Sequence, residues 1–440
     1  MIKKCKKIFS VVLSAVLIIS FFTACSDSSG TTNSAAGQSA VVVQNNGQVY
    51  NPLGSEAKNG TIKLKVWGPD AAQELLRKQC DEFSKSMSEY AKIEIELVPQ
   101  GEADPAAQLL NDSTVAADVF GFACDSIDKL VSAGALMEVA GRDLDFVVEE
   151  NSPDSVLAAT VDGKVYGYPE TGDNSYCLVY NKKVVSDEQA KTLEGVLKAC
   201  KAQNKKFVMD AGDGFYSCLF MFTGGLKTEG LEQDGTTQKF SSYSMRTVTK
   251  TLMAFRSLFE EYKDVFVNGE STKVVDGFLS DTVGAGFDGS WNFSAAKEVL
   301  GTDAGFAVLP TINVEGTPTQ IINMFGYKLI GVNSSTKYPN TSAELAKFLT
   351  NEDCQKDRAV DLNWGPSNRK VAESTLIKSD AALSAILNQA SYSVPQVGIS
   401  AGFWTPVATL GEILVDFNQP LSEKDCEELV RKTISTIRDE

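Results

Sequence analysis

Apolar and polar residues alternate over positions 61–67, the period of a half-buried strand, and Gly68, Pro69 and Asp70 end the run. Over 71–90 the period lengthens to that of a helix, with Leu75, Leu76, Cys80, Phe83 and Met87 at helical spacing, and 93–98 alternates again. Strand, helix and strand in that order predict a right-handed βαβ unit. A helix over 105–110, an apolar strand over 118–122 and a helix over 126–133 continue the same lobe. Ligands on such largely parallel sheets bind at the carboxyl ends of the strands, where Trp67, Asp70, Phe122 and Asp125 fall.

The stretch 162–183 reads differently. Two extended runs, 165–168 and 176–180, are joined by a corner holding Pro169, Gly172, Asp173 and Asn174. A strand that stops, turns through polar residues and restarts predicts a passage between two lobes. Beyond it, helices over 190–203, 245–262 and 294–300 are interspersed with strands over 206–209, 282–287 and 305–309. Positions 212–225 form a glycine-punctuated apolar stretch carrying Phe215 and Tyr216, and Asp288-Gly289-Ser290-Trp291 follows a strand end. The polar, turn-rich 311–319 is expected to be the second passage and the irregular 363–370 the third, with an apolar run over 327–332 and a helix over 342–349 between them. Helices over 379–390, 407–417 and 422–438 complete the chain, and Trp404 stands just before one of them. The fold class expected is α/β.

At 440 residues the chain has room for two or three domains. A mean hydropathy of −0.10 with 43% hydrophobic residues indicates a soluble body with ample core. The formal charge is −16, and −20 once Lys3, Lys4, Lys6 and Lys7 leave with the N-terminal segment described below. A body this acidic argues against nucleic acid or an anionic membrane as the ligand. Histidine is absent. That excludes Ser-His-Asp and Cys-His catalysis, His-bearing zinc sites and histidine pH switches. No P-loop, H-E-x-x-H or EF-hand spacing occurs, and neither cofactor nor metal is expected. Positions 284–289 do fit G-x-G-x-x-G. The next strand, however, ends in Leu309, Pro310 and Thr311, without the acid that a dinucleotide site requires.

The N-terminus reads as an address. Lysines precede an apolar run over 8–22, short for a membrane-spanning helix, and Phe22-Thr23-Ala24-Cys25 puts small residues before a cysteine. The pattern resembles a bacterial lipoprotein signal, which implies cleavage before Cys25 and a lipid thioether on its sulfur. The other reading is an ordinary signal peptide with a chance cysteine. Positions 26–40, rich in Ser, Thr, Gly, Asn and Ala, are expected to be a flexible tether that runs on to about Asn59. Cys80, Cys124, Cys177, Cys200, Cys218, Cys354 and Cys426 remain, scattered and without metal-like spacing, and are expected to be mostly buried free thiols.

From about Lys63 to the C-terminus the chain resembles the extracellular sugar-binding lipoproteins of ABC importers, the family of the maltose- and maltodextrin-binding proteins. The matching stretches are Val66-Trp67-Gly68, Asp118-Val119-Phe120 with Asp125, and Gly163-Lys164 through Tyr168-Pro169 to Tyr180-Asn181-Lys182. Asp288-Gly289-Ser290-Trp291, positions 305–311 and 346–350, and Val394-Pro395-Gln396 followed by Phe403-Trp404 complete the set. The resemblance implies a two-lobed, periplasmic-binding-protein-like fold with three inter-lobe crossings and hinge closure. Residues 60–169 plus 320–366 would form the N-terminal lobe and 170–319 plus 367–440 the C-terminal lobe, behind a signal peptide at 1–24 and a lipidated tether at 25–59. It implies a monomer without catalysis, lipid-anchored to the outer face of the cell membrane of a Gram-positive bacterium. Its partners would be an oligosaccharide, malto-oligosaccharide first, and the membrane permease subunits that receive it.

The positions matching the family's aromatic contacts are Phe122, Tyr216, Trp291 and Trp404. Those matching its polar contacts are Asp70, Asp125 and one of the pair Asp173 and Asn174, and Trp67 at a strand end joins the candidates. Ser126 stands where maltose-binding relatives can carry Arg, and Phe122 where an indole is common. The residue types suit a sugar. Its C–H face packs on aromatic rings, and its hydroxyl rim bonds to carboxylates and amides. Each also has a structural reading: Trp291 and Trp404 as core, Asp70 and Asp125 as helix caps, Tyr216 as part of an apolar run. A surface glycosidase would instead need two carboxylates about 5–10 Å apart, and an adhesin would bind sugar without a transporter. The ligand could also be another oligosaccharide or a small polyol. A glycerol phosphate would want Arg or Lys in the cleft, and none stands at the matched positions.

Overall fold

The computed structural model describes residues 51–58, 60–102, 105–111 and 116–439. The signal segment, Cys25 and most of the expected tether lie outside the described residues. The tether nevertheless ends sooner than Asn59. Leu53 is fully buried, and the Glu56 carboxylate accepts hydrogen bonds from the backbone N–H groups of Asn340 and Thr341 and from Thr341 Oγ1. Those N–H groups lie in the first turn of the helix Pro339–Leu349, where the helix itself offers no acceptor, so the acid caps it.

The alternation at 61–67 becomes the strand Thr61–Gly68, which buries Ile62, Leu64 and Val66. It runs parallel to Lys92–Pro99, reached through the helix Gln73–Ser86, and to Val119–Ala123 on its other side. Asn323–Val332 pairs antiparallel with Val119–Ala123, and Tyr168–Asn174 and Ser393–Pro395 both pair with Asn323–Val332. A second sheet has the order Phe266–Asn268, Lys206–Met209, Val283–Gly289, Tyr176–Asn181, Ala304–Ala307. Each sheet has its own core. Phe83, Phe120, Phe122 and Leu345 belong to the first, and Phe207, Phe255, Phe259 and Leu410 to the largest cluster around the second. All seven described cysteines are buried and unpaired.

Three segments meet where the chain changes sheet. Tyr168–Asn174 stays with the first sheet to its end, so the first passage falls at Ser175, later than the 169/170 boundary expected. The second is also displaced. Residues 311–319 are largely a hairpin, Thr311–Val314 against Thr317–Gln320, turning on Glu315 and Gly316 at φ 49° and 88°, the positive pair that a type I′ turn demands. Ile312 and Ile321 pack in the second core, so the chain rejoins the first sheet only at Asn323. A surface hairpin and a crossing share the same polar, turn-rich pattern. The third passage follows the helix Glu352–Asp361, and Gly365 there lies against the first: Gly172 N–H donates to Gly365 O, and Gly365 N–H to Asp173 Oδ2.

Beside this junction Arg358 Nε pairs with Glu170 Oε1 at 3.2 Å, with both side chains more than nine-tenths buried. Two charges taken out of water depend on each other, and removing one strands its partner. Arg358→Met is expected to cost about 3–5 kcal/mol in urea unfolding. Adding Glu170→Gln to that variant should return part of the loss, because the unpaired carboxylate goes with it.

Candidate functional site

A cavity of about 560 Å³ opens where the strand ends of the two sheets face each other. From the first sheet come Glu102, in the loop after Lys92–Pro99, and Asp125, in the turn after Val119–Ala123. The second contributes Asp213, Phe215 and Tyr216 from the start of the helix Gly214–Thr223, Trp291 from the turn after Val283–Gly289, and Trp404 from the start of Trp404–Val415. Asn174, Lys328 and Gln396 line it from the segments near the passages.

Local chemistry places each ring. Asp213 Oδ1 accepts the Phe215 N–H and so starts its helix. Asp288, fully buried, accepts from Gly289 N–H and Asn292 Nδ2 and thereby ties the turn that presents Trp291. A Cβ on Gly289 would overlap that indole, so only glycine lets the ring lie over the strand end. Phe215, Trp291 and Trp404 are half-buried, with Phe215 centred 6.2 Å from Trp291 and 6.5 Å from Trp404. They form a continuous aromatic wall.

The candidates read from the sequence divide. Asp125, Asn174, Tyr216, Trp291 and Trp404 come together in the cavity. Tyr216 is 97% buried, its ring 4.5 Å from that of Tyr176, and it offers the cavity little surface. Trp67, Asp70, Phe122 and Asp173 are not part of the wall. Trp67 packs edge-on to Phe120 in the first core, and Phe122 is fully buried beside Phe120 because both faces of its strand are covered. Asp70 is exposed at the start of a short 3-10 turn. Of the polar pair, Asn174 faces the cavity while Asp173 lies behind it, its carboxylate holding Gly365 N–H at 2.6 Å. The glycines at 284–289 lie within the strand Val283–Gly289, where Gly284 and Gly286 give room to Val184, Cys200 and Val274; they cradle no phosphate.

Several lining residues escaped the sequence reading. Phe215 lies in a helix that is apolar on nearly every side, so no amphipathic period marks it. Gln396 accepts from Asn174 Nδ2 at 2.7 Å, its own N–H donates to Phe325 O, and its carbonyl accepts from Cys124 Sγ. Lys328 supplies the cation that no matched position offered. Its Nζ is buried 3.5 Å from Glu102 Oε1, 4.7 Å from the ring centroid of Trp364 and 5.8 Å from that of Trp291. A lysine inside a buried strand was the available signal.

Burial lifts the Asp125 carboxyl from its ordinary 3.8 to about 7, against the pull of the backbone N–H groups of Asp125 and Ser126. Burial lifts Asp288 to about 7 as well. A carboxyl raised in this way binds its proton more tightly folded than unfolded, so stability falls as pH rises from about 4 to about 7 and then levels off. Asp125→Asn has nothing to ionise there. It is expected to lose less stability than wild type between about pH 4.5 and about pH 7.5 in urea unfolding; equal slopes would show that Asp125 is not held this way.

The sequence profile of the family described as bacterial extracellular solute-binding protein matches residues 78–385. A galactooligosaccharide-binding protein of Bacillus subtilis (strain 168) is 25% identical over 304 residues, covering 66% of this chain and 70% of that protein. A solved structure with acarbose is 26% identical, with a TM-score of 0.76 over 86% of this chain and 99% of that one. The Thermus thermophilus maltotriose-binding protein bound with maltotriose is 18% identical, with a TM-score of 0.69 over 86% of this chain and 99% of its own. The profile spans well over half the chain, and the two-lobed fold is that of the maltose-binding structures. The chain belongs to the bacterial extracellular solute-binding protein family.

Proposed function

We propose that this protein captures an oligosaccharide outside the cytoplasm and presents it to the permease subunits of an ABC importer, without catalysis. The observation that carries the reading is the wall of Phe215, Trp291 and Trp404, three half-exposed rings at a cavity reached from both sheets. Aromatic faces pack on the C–H face of a pyranose at small entropic cost. Asp125, Asp213, Asn174 and Gln396 stand around the rings to meet hydroxyls. The names of the relatives, which concern galactooligosaccharide, acarbose and maltotriose, support an oligosaccharide. Malto-oligosaccharide is the first ligand to test, and galacto-oligosaccharide stands beside it. Three carboxylates against one lysine that already pairs with Glu102 favour a neutral sugar over an anionic one.

A ligand touching residues of both lobes favours the closed arrangement differentially, and that difference is the signal a permease can read. In this reading Cys25 carries the lipid that holds the protein, as a monomer, at the outer face of the membrane, and the lobes divide at the three passages. Calorimetric titration of the protein from Ser26 onward with maltotetraose and with galacto-oligosaccharides tests the reading. A micromolar Kd corresponds to about 8 kcal/mol. Trp291→Ala should weaken binding by at least about tenfold, and the sugar should be recovered uncleaved. Absence of binding to either series would overturn the proposal.

A further inference from the structure

Among the described residues that line the cavity, Glu102, Asp125 and Asp213 are acids and Lys328 is the only cation. Carboxylates beside aromatic rings are, on their own, the chemistry of a site for an ammonium: the acids attract it and the ring faces accept it. Lys328 puts a charge of the chain's own in that place.

Its position is built. Lys328 lies within the strand Asn323–Val332, opposite Ala123 on one neighbouring strand and Thr171 on the other, so its backbone is held from both sides. The side chain is buried, and its Nζ stands over the rings of Trp364 and Trp291, whose faces therefore already carry a cation. Trp364 is buried in turn, and its N–H donates to Arg358 O at 3.3 Å. The two acids behind the ammonium have partners of their own: Glu170 pairs with Arg358 Nε, and Asp173 accepts Gly365 N–H. Glu102 does not. Its buried Oε1 has no hydrogen-bond partner and meets the ammonium at 3.5 Å. Glu102 and Lys328 thus form the pair that sets the charge at this part of the wall.

We infer that Lys328 is a specificity-determining residue, whose fixed ammonium takes the place a cationic ligand group would occupy and makes the cleft bind neutral sugars in preference to amine-bearing ones. The inference rests on the oligosaccharide reading above and adds to it the charge class that is refused. An ammonium on the ligand would meet Lys328 where water is largely excluded, and like charges repel far more strongly there than in bulk water. A sugar hydroxyl meets no such barrier and can accept a charge-assisted hydrogen bond from the same Nζ.

Calorimetry at about pH 7.5, where an alkylamine is protonated, tests it. Maltotetraose is compared with counterparts in which one primary hydroxyl at a time is replaced by an amine, and a galacto-oligosaccharide with its own amines where that is the series that binds. Wild type should bind at least one amine counterpart about tenfold or more weakly than the parent sugar. Lys328→Met should shrink that ratio by at least about tenfold, and Lys328→Arg, which keeps the charge, should preserve it. Glu102→Gln should widen the ratio, because the opposing acid is gone. Adding Glu102→Gln to Lys328→Met should return the ratio part of the way to the wild-type value. That double variant removes both buried charges together, so it and Glu102→Gln decide the matter where Lys328→Met alone does not fold. A merely structural role for Lys328 would weaken parent and amine alike. Amines that all bind wild type as tightly as the parent, or a ratio that is the same in every variant, would overturn the inference and leave the sugar-binding reading intact. Binding of no sugar at all removes both.

Discussion

The Asp173 carboxylate, buried among three chain segments, holds the geometry on which the rest relies. It accepts Gly365 N–H, while the Asp173 carbonyl accepts Ser290 Oγ from the turn that carries Trp291. Two residues later Ser175 donates to Met324 O, and Asn323 Nδ2 donates to Ser175 Oγ and Tyr176 O. Through these bonds the first, second and third passages are fixed to one another. Asn174 and Lys328 can face the cavity only because the residues around them are tied behind it. Charges and amides buried here are costly unless satisfied, so a chain that keeps them has its passages specified closely.

On that frame the cleft combines two unlike materials. Phe215, Trp291 and Trp404 give a rigid apolar surface, whereas Glu102, Asp125 and Asp213 give acceptors in a place where ionisation is opposed by burial at Asp125. Lys328 moderates the charge: burial pulls its ammonium down, but Glu102, Asp173 and Glu170 outweigh this and hold it protonated. The resulting wall suits a ligand that is flat on one side, rich in hydroxyls at its rim and without net negative charge. Charge also separates this cleft from the outer surface, since many of the remaining ion pairs are exposed and contribute little to stability.

Much of the fold was legible in the pattern of the chain. The change of period between 61–67 and 71–90 marked the first strand and helix, and the motif around Trp291 marked a ring at a strand end. What failed did so for physical reasons. Residues 311–319 look like a linker because a surface hairpin is polar on both strands, and 212–225 shows only as an apolar stretch because a helix buried all round has no polar face to mark its period. Phe122 is a candidate from its strand end and its match to the family's aromatic contacts, and Asp173 from its place in the polar corner. Position along a strand does not say whether the face a side chain stands on is covered by other elements, and both faces of the strand bearing Phe122 are buried. Lys328 and Gln396 reach the cleft only through pairings between residues far apart in sequence, which local periodicity cannot reveal.

A sugar held between the two sheets should draw the lobes together. Small-angle scattering of the protein from Ser26 onward, titrated with maltotetraose and with galacto-oligosaccharide, measures this directly. The account predicts that the radius of gyration falls saturably with whichever sugar binds, at the same midpoint as calorimetry, and that Trp291→Ala shifts that midpoint to higher sugar concentration. Sugar that binds with an unchanged radius of gyration would contradict it.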